Sequence, residues 1–456
     1  MPAQLASQVN FMKRITILSL ALAVTTLPVL ASVTSLEAQK LGSSLTPMGA
    51  EKSANASGTI PVYTGGLAAN AASNPYTNIF AQEEPLFIIS SQNLNKYKAN
   101  LTTGQLALFE KYPDTYTMPV YTTHRTASYP KRIEAKAKKN ATTARLLEGG
   151  NGLAKFDETV PFAIPKNGVE AIWNHVTRFR GGASELNYAL IPVQNGGTYT
   201  AEKMRARFVP PQYLKDGFNK DKDSNILFYY SALTKAPARL TGNVLLVHET
   251  IDQVSEPRKA WVYNAGQRRV RRAPQVAYDS PNAQGMRTAD QVDMFNGSPD
   301  RYNWKLVGKK EIYIPYNSYK LADRNAKYDD IVGTQHLNPD FTRYELHRVW
   351  HVQASLKEGA RHIYGQRDLY LDEDSWQVAV ADHYDRRGNL WRVSEGHSLQ
   401  FTNIDAPWYI ANTSYDLFSG RYMAQVSNEE RAAFSFGLKA SHRDFTTGAI
   451  RRSGKR

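Results

Sequence analysis

Glu345, His347 and His351 lie in the run Arg343–Ala354, where Tyr344, Leu346, Trp350 and Val352 alternate with polar residues. Alternate positions of an extended chain share a face, so Arg343, Glu345, His347 and His351 are expected to stand together. Imidazole and carboxylate at that spacing form a donor set suited to zinc. Nothing completes the set, because the chain has no HExxH pattern and His248-Glu249 lacks a second histidine. The row is expected to be a polar outer strand face with no metal. Asp372-Glu373-Asp374 offers three carboxylates, yet consecutive side chains cannot converge on one ion without a special loop, and EF-hand spacing is missing. They read as an acidic turn ahead of Trp376 that pairs with arginines. Asp382 differs, since it falls among Trp376, Val378, Val380 and Tyr384 on one face of a strand. A carboxylate buried there needs a partner or a raised pKa.

Catalytic signatures are missing elsewhere. The sequence has no G-x-S-x-G elbow, no G-x-G-x-x-G fingerprint and no Walker loop. No catalytic residue and no cofactor are therefore expected. Two residue sets point to binding instead. Trp261, Trp304, Tyr313, Trp350, Trp376 and Trp391 sit on or beside predicted strands, and such side chains combine large apolar area with a polar tip. They are read either as core or as the wall of an apolar ligand cavity. Arg268, Arg269, Arg271 and Arg272 follow the turn Asn264-Ala265-Gly266. Four guanidinium groups there suit a lipid head group or an acidic partner, or a solvated turn.

The elements that must position these residues form an α+β chain. Residues 39 to 76 lack hydrophobic periodicity and are expected to be an arm ordered only by contact. Leu101, Leu106, Leu108 and Phe109 suggest a short helix, and Lys131 to Leu147 a second. Val169, Ile172, Trp173 and Val176 recur at helical spacing within Val169 to Arg180, which Gly181-Gly182 ends. The period then shifts towards two, through Ile226–Ala232, Leu240–Glu249, Ala260–Tyr263, Trp304–Val307 and Glu311–Tyr316. Trp376 to Tyr384 turns through Asp385-Arg386-Arg387-Gly388 into Asn389 to Ser398, a hairpin. A final helix is expected at Asn428 to Phe436, with a frayed basic tail over 437–456. The divisions are a signal segment at 1–38, an extended arm with short helices at 39–150, and a large curved antiparallel sheet at 151–436.

The chain of 456 residues has no cysteine and a formal charge of +14. Disulfides, thiolate metal sites and an acyl-cysteine anchor are excluded. Lys13-Arg14 precede the uncharged apolar stretch Ile15–Ala31, with small residues at Ala31 and Ala38 as cleavage points. That order is the one of a secretory signal peptide, and Met12 is an alternative start. No later stretch is apolar enough to span a bilayer. An exported protein seldom meets nucleic acid and no recognition motif is present, so the positive charge is assigned to other partners.

The motifs LTPMGAEKSANASGTIPVYTGGL, IPKNGVEAIWNHVTRFRG, AWVYNAGQRRVRRAP, DMFNGSPDRYNWKLVGKKE, RYELHRVWHV and YLDEDSWQVAVADHYDRRGNLWR run from about Leu45 to about Phe436. In them the chain resembles a Gram-negative periplasmic family of uncharacterised function described as outer-membrane lipoprotein-sorting proteins. The resemblance implies a fold similar to the LolA and LolB carriers, incomplete β-barrels whose helices close the open side over an apolar cavity. It carries over no catalytic or ligand residue. It implies a periplasmic location and, as partners, a lipid or other hydrophobe and an outer-membrane barrel protein or envelope transporter. The expected function is a carrier that shields the hydrophobe in transfer towards or from the outer membrane. The alternative is a non-catalytic assembly factor or chaperone docking on such a barrel or transporter; a lipid esterase fits the compartment but lacks a catalytic set.

Overall fold

A computed structural model describes residues 33–69, 71–72, 74–427 and 433–455 of the chain. Two short strands, β1 (Phe87–Ile89) and β2 (Met118–Val120), come from the N-terminal part. A first meander follows: β3 (Ser184–Val193), β4 (Glu202–Val209), β5 (Ile226–Thr234), β6 (Val244–Thr250), β7 (Lys259–Asn264) and β8 (Arg269–Arg272). A second contains β9 (Tyr302–Pro315), β10 (Tyr344–Leu356), β11 (Tyr364–Asp372) and β12 (Val378–Asp385). It continues through β13 (Leu390–Phe401), β14 (Ala406–Asp416) and β15 (Tyr422–Val426), and a short β16 (Phe434–Phe436) pairs with β3.

The meanders fuse into one 16-stranded sheet where β15 lies antiparallel to β3, from Tyr422 opposite Val193 to Val426 opposite Ala189. Pairing is antiparallel throughout except for one parallel bridge between Tyr344 and Val120. Among the described residues β8 pairs only with β7, and β9 only with β10. The sheet is therefore an incomplete barrel, with a free edge at each end. Both edges carry features that discourage further pairing. β8 presents exposed Arg269, Arg271 and Arg272, and β9 carries lysines and a bulge between Leu306 and Gly308.

Three helices pack on the sheet, α1 (Thr103–Lys111), α3 (Gly168–Thr177) and α4 (Thr447–Ser453), while α2 (Lys131–Thr143) is tied through Asn140 to the carbonyls of Asp157, Thr159 and Val160. Asn167 caps α3 by accepting from the Glu170 N–H, and Ile172, Trp173 and Val176 are buried as the helical spacing requires. The helix lies on β9 and β10. Its first residue must be glycine, because a Cβ on Gly168 would stand 2.9 Å from the backbone of Trp304 and Lys305. α3 ends three residues earlier than the pattern predicts. Arg178 leaves the helix at ψ 147°, and its guanidinium donates back to the His175 carbonyl at 2.6 Å, while that of Arg180 donates to Val176 O at 3.0 Å. Two of the carbonyls left open at the helix end are thereby satisfied.

Hydrogen bonds from the sheet side hold residues 48–53. The Trp376 indole donates to Met48 O at 2.7 Å, and Arg348 reaches Ser53 O at 2.8 Å. The division at residue 150 has no counterpart, because the segments on either side of it pack as one unit and β1 and β2 join the main sheet. Residues 428–432 of the helix expected at Asn428–Phe436 lie outside the described residues, and Phe434–Phe436 form a strand instead, because β3 offers that segment a free edge. The C-terminal stretch is no frayed tail. Phe445 and Ile450 are buried with Val209, Tyr229, Leu246 and Tyr263 in a second core beneath α4. Apolar residues four to five apart in an otherwise basic stretch create that docking face. Phe445→Ala is expected to lower stability by about 3–5 kcal/mol, read as a lower urea midpoint; a tail without packing would give no shift.

Candidate functional site

Register places Leu186, Tyr188 and Leu190 of β3, Met204, Ala206 and Phe208 of β4, Tyr230 and Ala232 of β5, and Leu245 and Val247 of β6 on one face of the first meander. The face continues across the fusion to Gln425 of β15 and Asn412 of β14. Residues 273–301 cross over it, leading the chain from β8 at one edge to β9 at the other. Between face and crossover lies a cavity of about 180 Å³, whose wall includes Phe228, Trp408 and Phe434 and whose roof includes Val276, Ala289 and Val292. Its rings form a connected set, with Phe208 4.7 Å from Phe228 and 5.8 Å from Trp408, and Trp408 5.1 Å from Phe434. The volume equals about six waters at liquid density, but the lining is mostly apolar and suits a hydrocarbon.

Charged residues ring this cavity. Asp293 accepts from Arg178 at 2.8 Å and from Arg180 at 2.7 Å. Burial works against its charge, but the two guanidinium groups hold its carboxyl well below the usual range. Asp293 and Met294 both take positive φ, 59° and 67°, a conformation costly without glycine, which these bonds help to hold. Burial, then the Arg178 charge, brings Arg180 down to about 10. His175 is buried and kept neutral, its pKa lowered to about 3, and its Nε2 lies 2.9 Å from the Asp293 carbonyl. Arg258 pairs with Glu249 at 2.7 Å, and Asn296 donates to the same carboxylate at 3.2 Å. Arg287 has no such partner, since its hydrogen bonds run to Asn282, Asn412 and Gln425.

The six aromatic residues singled out from the sequence lie elsewhere. Trp350 and Trp376 stack on each other with centroids 6.2 Å apart. Trp304 donates to Pro299 O and meets Phe295 edge-on, and Tyr313 packs against Phe87 and Tyr97. Trp261 lies beneath Arg272 and against His248, and Trp391 donates to Asp416 beside Phe418. None of the six is in the cavity lining, whose aromatic residues include Tyr188, Phe208, Phe228, Tyr230, Trp408 and Phe434. The available signal was the alternation in β3 and β5 and the apolar start of β14. Arg268, in the turn at φ 52°, and Arg269, Arg271 and Arg272 form no ion pair with a described carboxylate.

The polar row of β10 is no outer face: Arg343, Glu345, His347 and His351 are all buried. Residues from the arm side meet its first part, with the His124 N–H donating to Glu345 at 2.7 Å and Arg343 reaching Glu83, while Asp368 and Tyr370 of β11 lie against His351. His347 lies 3.3 Å from Glu345 and 3.5 Å from Asp372, which outweigh burial and raise it to about 9. His347, Asp372 and Asp374 bring potential ligand atoms within 4.8 Å of one another. Arg125 already occupies both Asp374 oxygens at 2.8 and 2.7 Å, and His347 is shared between Glu345 and Asp372. This is an ion-pair cluster, and the acidic turn pairs with arginines as its sequence suggests, Arg348 reaching Glu373 at 2.6 Å. Asp382 is fully buried; it accepts from the Thr102 hydroxyl at 3.2 Å and the Gly104 N–H at 3.0 Å, and burial raises it to about 7. Nearby Glu395, hydrogen-bonded by Tyr344, is also raised to about 7 by burial.

A family model described as "Protein of unknown function (DUF1329)" matches residues 88–451. The chain belongs to this family. An uncharacterised protein of Pseudomonas aeruginosa is 56% identical over 448 residues, covering 96% of this chain and 97% of the relative. Among solved structures, a domain named for outer-membrane lipoprotein sorting, from Vibrio parahaemolyticus, aligns at TM-score 0.42 and 13% identity over 60% of this chain and 93% of its own. A DUF1329 family protein from Desulfovibrio piger aligns at TM-score 0.41 and 14% identity, covering 59% and 91%. A LolA superfamily protein from Nitrosomonas europaea aligns at 0.39 and 11%, covering 62% and 98%. The open sheet of this DUF1329 protein is read from its own strand pairing.

The buried acids set a pH dependence. Asp382 and Glu395 titrate near the ordinary values of 3.8 and 4.5 when unfolded but near 7 when folded, so between these limits the native state holds more protons. Their contribution to stability is complete below pH 4 and is lost as pH rises to 7. Asp382→Asn keeps an acceptor for Gly104 and cannot ionise. Its thermal midpoint is expected to exceed that of the parent at pH 8 and to match it at pH 3, below the unfolded value of 3.8, both read by circular dichroism.

Proposed function

We propose that this protein is a non-catalytic periplasmic carrier, holding a lipid or other hydrophobe between the inner face of the first meander and the crossover. The observation that carries the reading is the apolar cavity at that place in an unclosed sheet. Burial of hydrocarbon supplies the affinity, at about 0.8 kcal/mol per methylene. At about 180 Å³ the cavity takes a short segment of chain, and a longer one enters by lifting the roof. The roof is anchored unevenly. Asp290 pairs with buried Arg367 at 2.6 Å and Asp293 with the α3 arginines, while residues 276–289 are tied to the sheet without a buried ion pair, through Arg258 to Val276 O, Arg392 to Gly285 O, Ser414 to Met286 O and Arg287 to Asn412 and Gln425. Transfer towards or from the outer membrane then needs only an exchange of apolar surroundings. A second reading, docking on an outer-membrane barrel or transporter, is supported by the exposed arginines of β8, which form no ion pair with a described carboxylate.

The test is binding of a fluorescent fatty acid to protein purified from the periplasm, with mass spectrometry of its solvent extract. The expected result is a co-purified hydrophobe and a probe response that falls at least about tenfold in Ala232→Phe, which fills the cavity at an overpacking cost of about 1–3 kcal/mol. No extracted hydrophobe and no probe response would reject the carrier.

Export rests on the signal pattern, which lies in residues 1–32, outside the described residues. The residues that follow support cleavage after Ala31. Val33 is buried and donates to Ala141 O at 3.3 Å, Thr34 caps a helical turn over Ser35–Ala38, and Glu37 pairs with Lys166. Cleavage after Ala38 would remove all three contacts. Intact-mass measurement of the mature protein is expected to show a chain beginning at Ser32, and a start at Gln39 would contradict it.

A further inference from the structure

The guanidinium groups around the cavity are not equally compensated. Arg258 has Glu249, and Arg178 with Arg180 share Asp293. Arg287 is equally buried yet has only amide oxygens: Nε donates to Asn282 at 2.8 Å, and Nη1 to Gln425 at 3.1 Å and Asn412 at 3.3 Å. Its Nη2 has no hydrogen-bond partner among the described residues. The hairpin from Pro281–Asn282 to Arg287–Thr288 fixes the residue at the cavity wall. No carboxylate bonds to this buried cation, and burial lowers the Arg287 pKa, which the charge of the more distant Asp293 only partly offsets. The Tyr188 and Tyr230 hydroxyls lie 3.0 Å apart on the same wall. One donates to the other, which leaves a second O–H available.

We propose that Arg287, seconded by Tyr188 and Tyr230, receives the anionic head of an amphiphile whose chain occupies the cavity. This rests on the carrier reading and narrows it to a substrate class: a hydrocarbon chain ending in a carboxylate or a phosphate monoester. The pattern fits that class because a planar guanidinium pairs with either group, and the rest of the wall is mostly apolar. A neutral alcohol of equal chain length leaves the charge of Arg287 unmatched.

The test is titration of the full mature protein with dodecanoate, dodecyl phosphate and dodecanol, by displacement of a neutral fluorescent probe. At least one anion is expected to bind about ten- to hundredfold tighter than the alcohol, the scale of a hydrogen bond to a charged group, and the two anions tell carboxylate from phosphate. Arg287→Met is expected to bring the anions to the level of the alcohol without changing alcohol binding, and Arg287→Lys to fall between. If Arg287→Met does not fold, Arg287→Lys and the Tyr188→Phe, Tyr230→Phe double variant decide, since both must reduce the anion-to-alcohol ratio. Equal binding of acid and alcohol by the parent, or a ratio unmoved in the variants, would overturn the proposal and leave the carrier standing. Binding of none of the three would remove the carrier reading itself.

Discussion

Asp293 joins the parts of the molecule that strand pairing leaves separate. Its carboxylate binds Arg178 and Arg180 at the end of α3, and its carbonyl lies beside His175 within that helix. The sheet does not close, so the crossover from β8 to β9 must be fixed to the inner face by side chains instead of ladder hydrogen bonds. Breaking a buried pair of this kind costs about 3–5 kcal/mol, because the remaining charges lose their compensation. The same pairing lets two arginines cap the last carbonyls of α3. Helix end, crossover and cavity rim are therefore one electrostatic unit.

The two halves of the sheet use their faces differently. In the second meander, α3 lies on β9 and β10, and Trp304, Trp350 and Trp376 are engaged with protein groups. In the first meander no α-helix among the described residues lies on the cavity face; the crossover spans it, with Ala283 and Met286 packed against Leu190, and leaves the cavity beside them. The opposite face carries the second core under α4. An apolar cavity persists where an irregular crossover, tied down at Arg287 and Asp293, covers the wall. The buried acids Asp382 and Glu395 lie away from this region, beside α1, and bear on stability.

Much of this was legible in the sequence, for physical reasons that can be named. The spacing of Val169, Ile172, Trp173 and Val176 identifies α3, and Asp382 among apolar neighbours on one strand face foretells a buried carboxylate with a raised pKa. Edge arginines and turn residues mark β8. The location of the cavity was not legible, because it depends on β15 pairing with β3 across more than two hundred residues, and alternation fixes a face without naming its cover. Tryptophan content was a poor guide, since a large ring fills core as readily as it lines a wall. The burial of His347 and His351 was hidden because alternation on one strand does not show its partners: Tyr316 and Asp372 lie against His347, and Asp368 and Tyr370 of the next strand against His351. The docked helix α4 rests on Phe445 and Ile450, too few apolar residues to register against a basic background.

The central claim is that the hydrophobe occupies the space between the first meander and the crossover. The most direct measurement is photo-crosslinking with a fatty acid bearing a diazirine at its chain end, followed by peptide mass spectrometry. Labels on β3 to β6, around Tyr188, Phe208, Phe228 and Tyr230, or on Trp408, are the predicted result. Labels confined to the Trp304, Trp350 and Trp376 region, or spread over the outer surface, would contradict it.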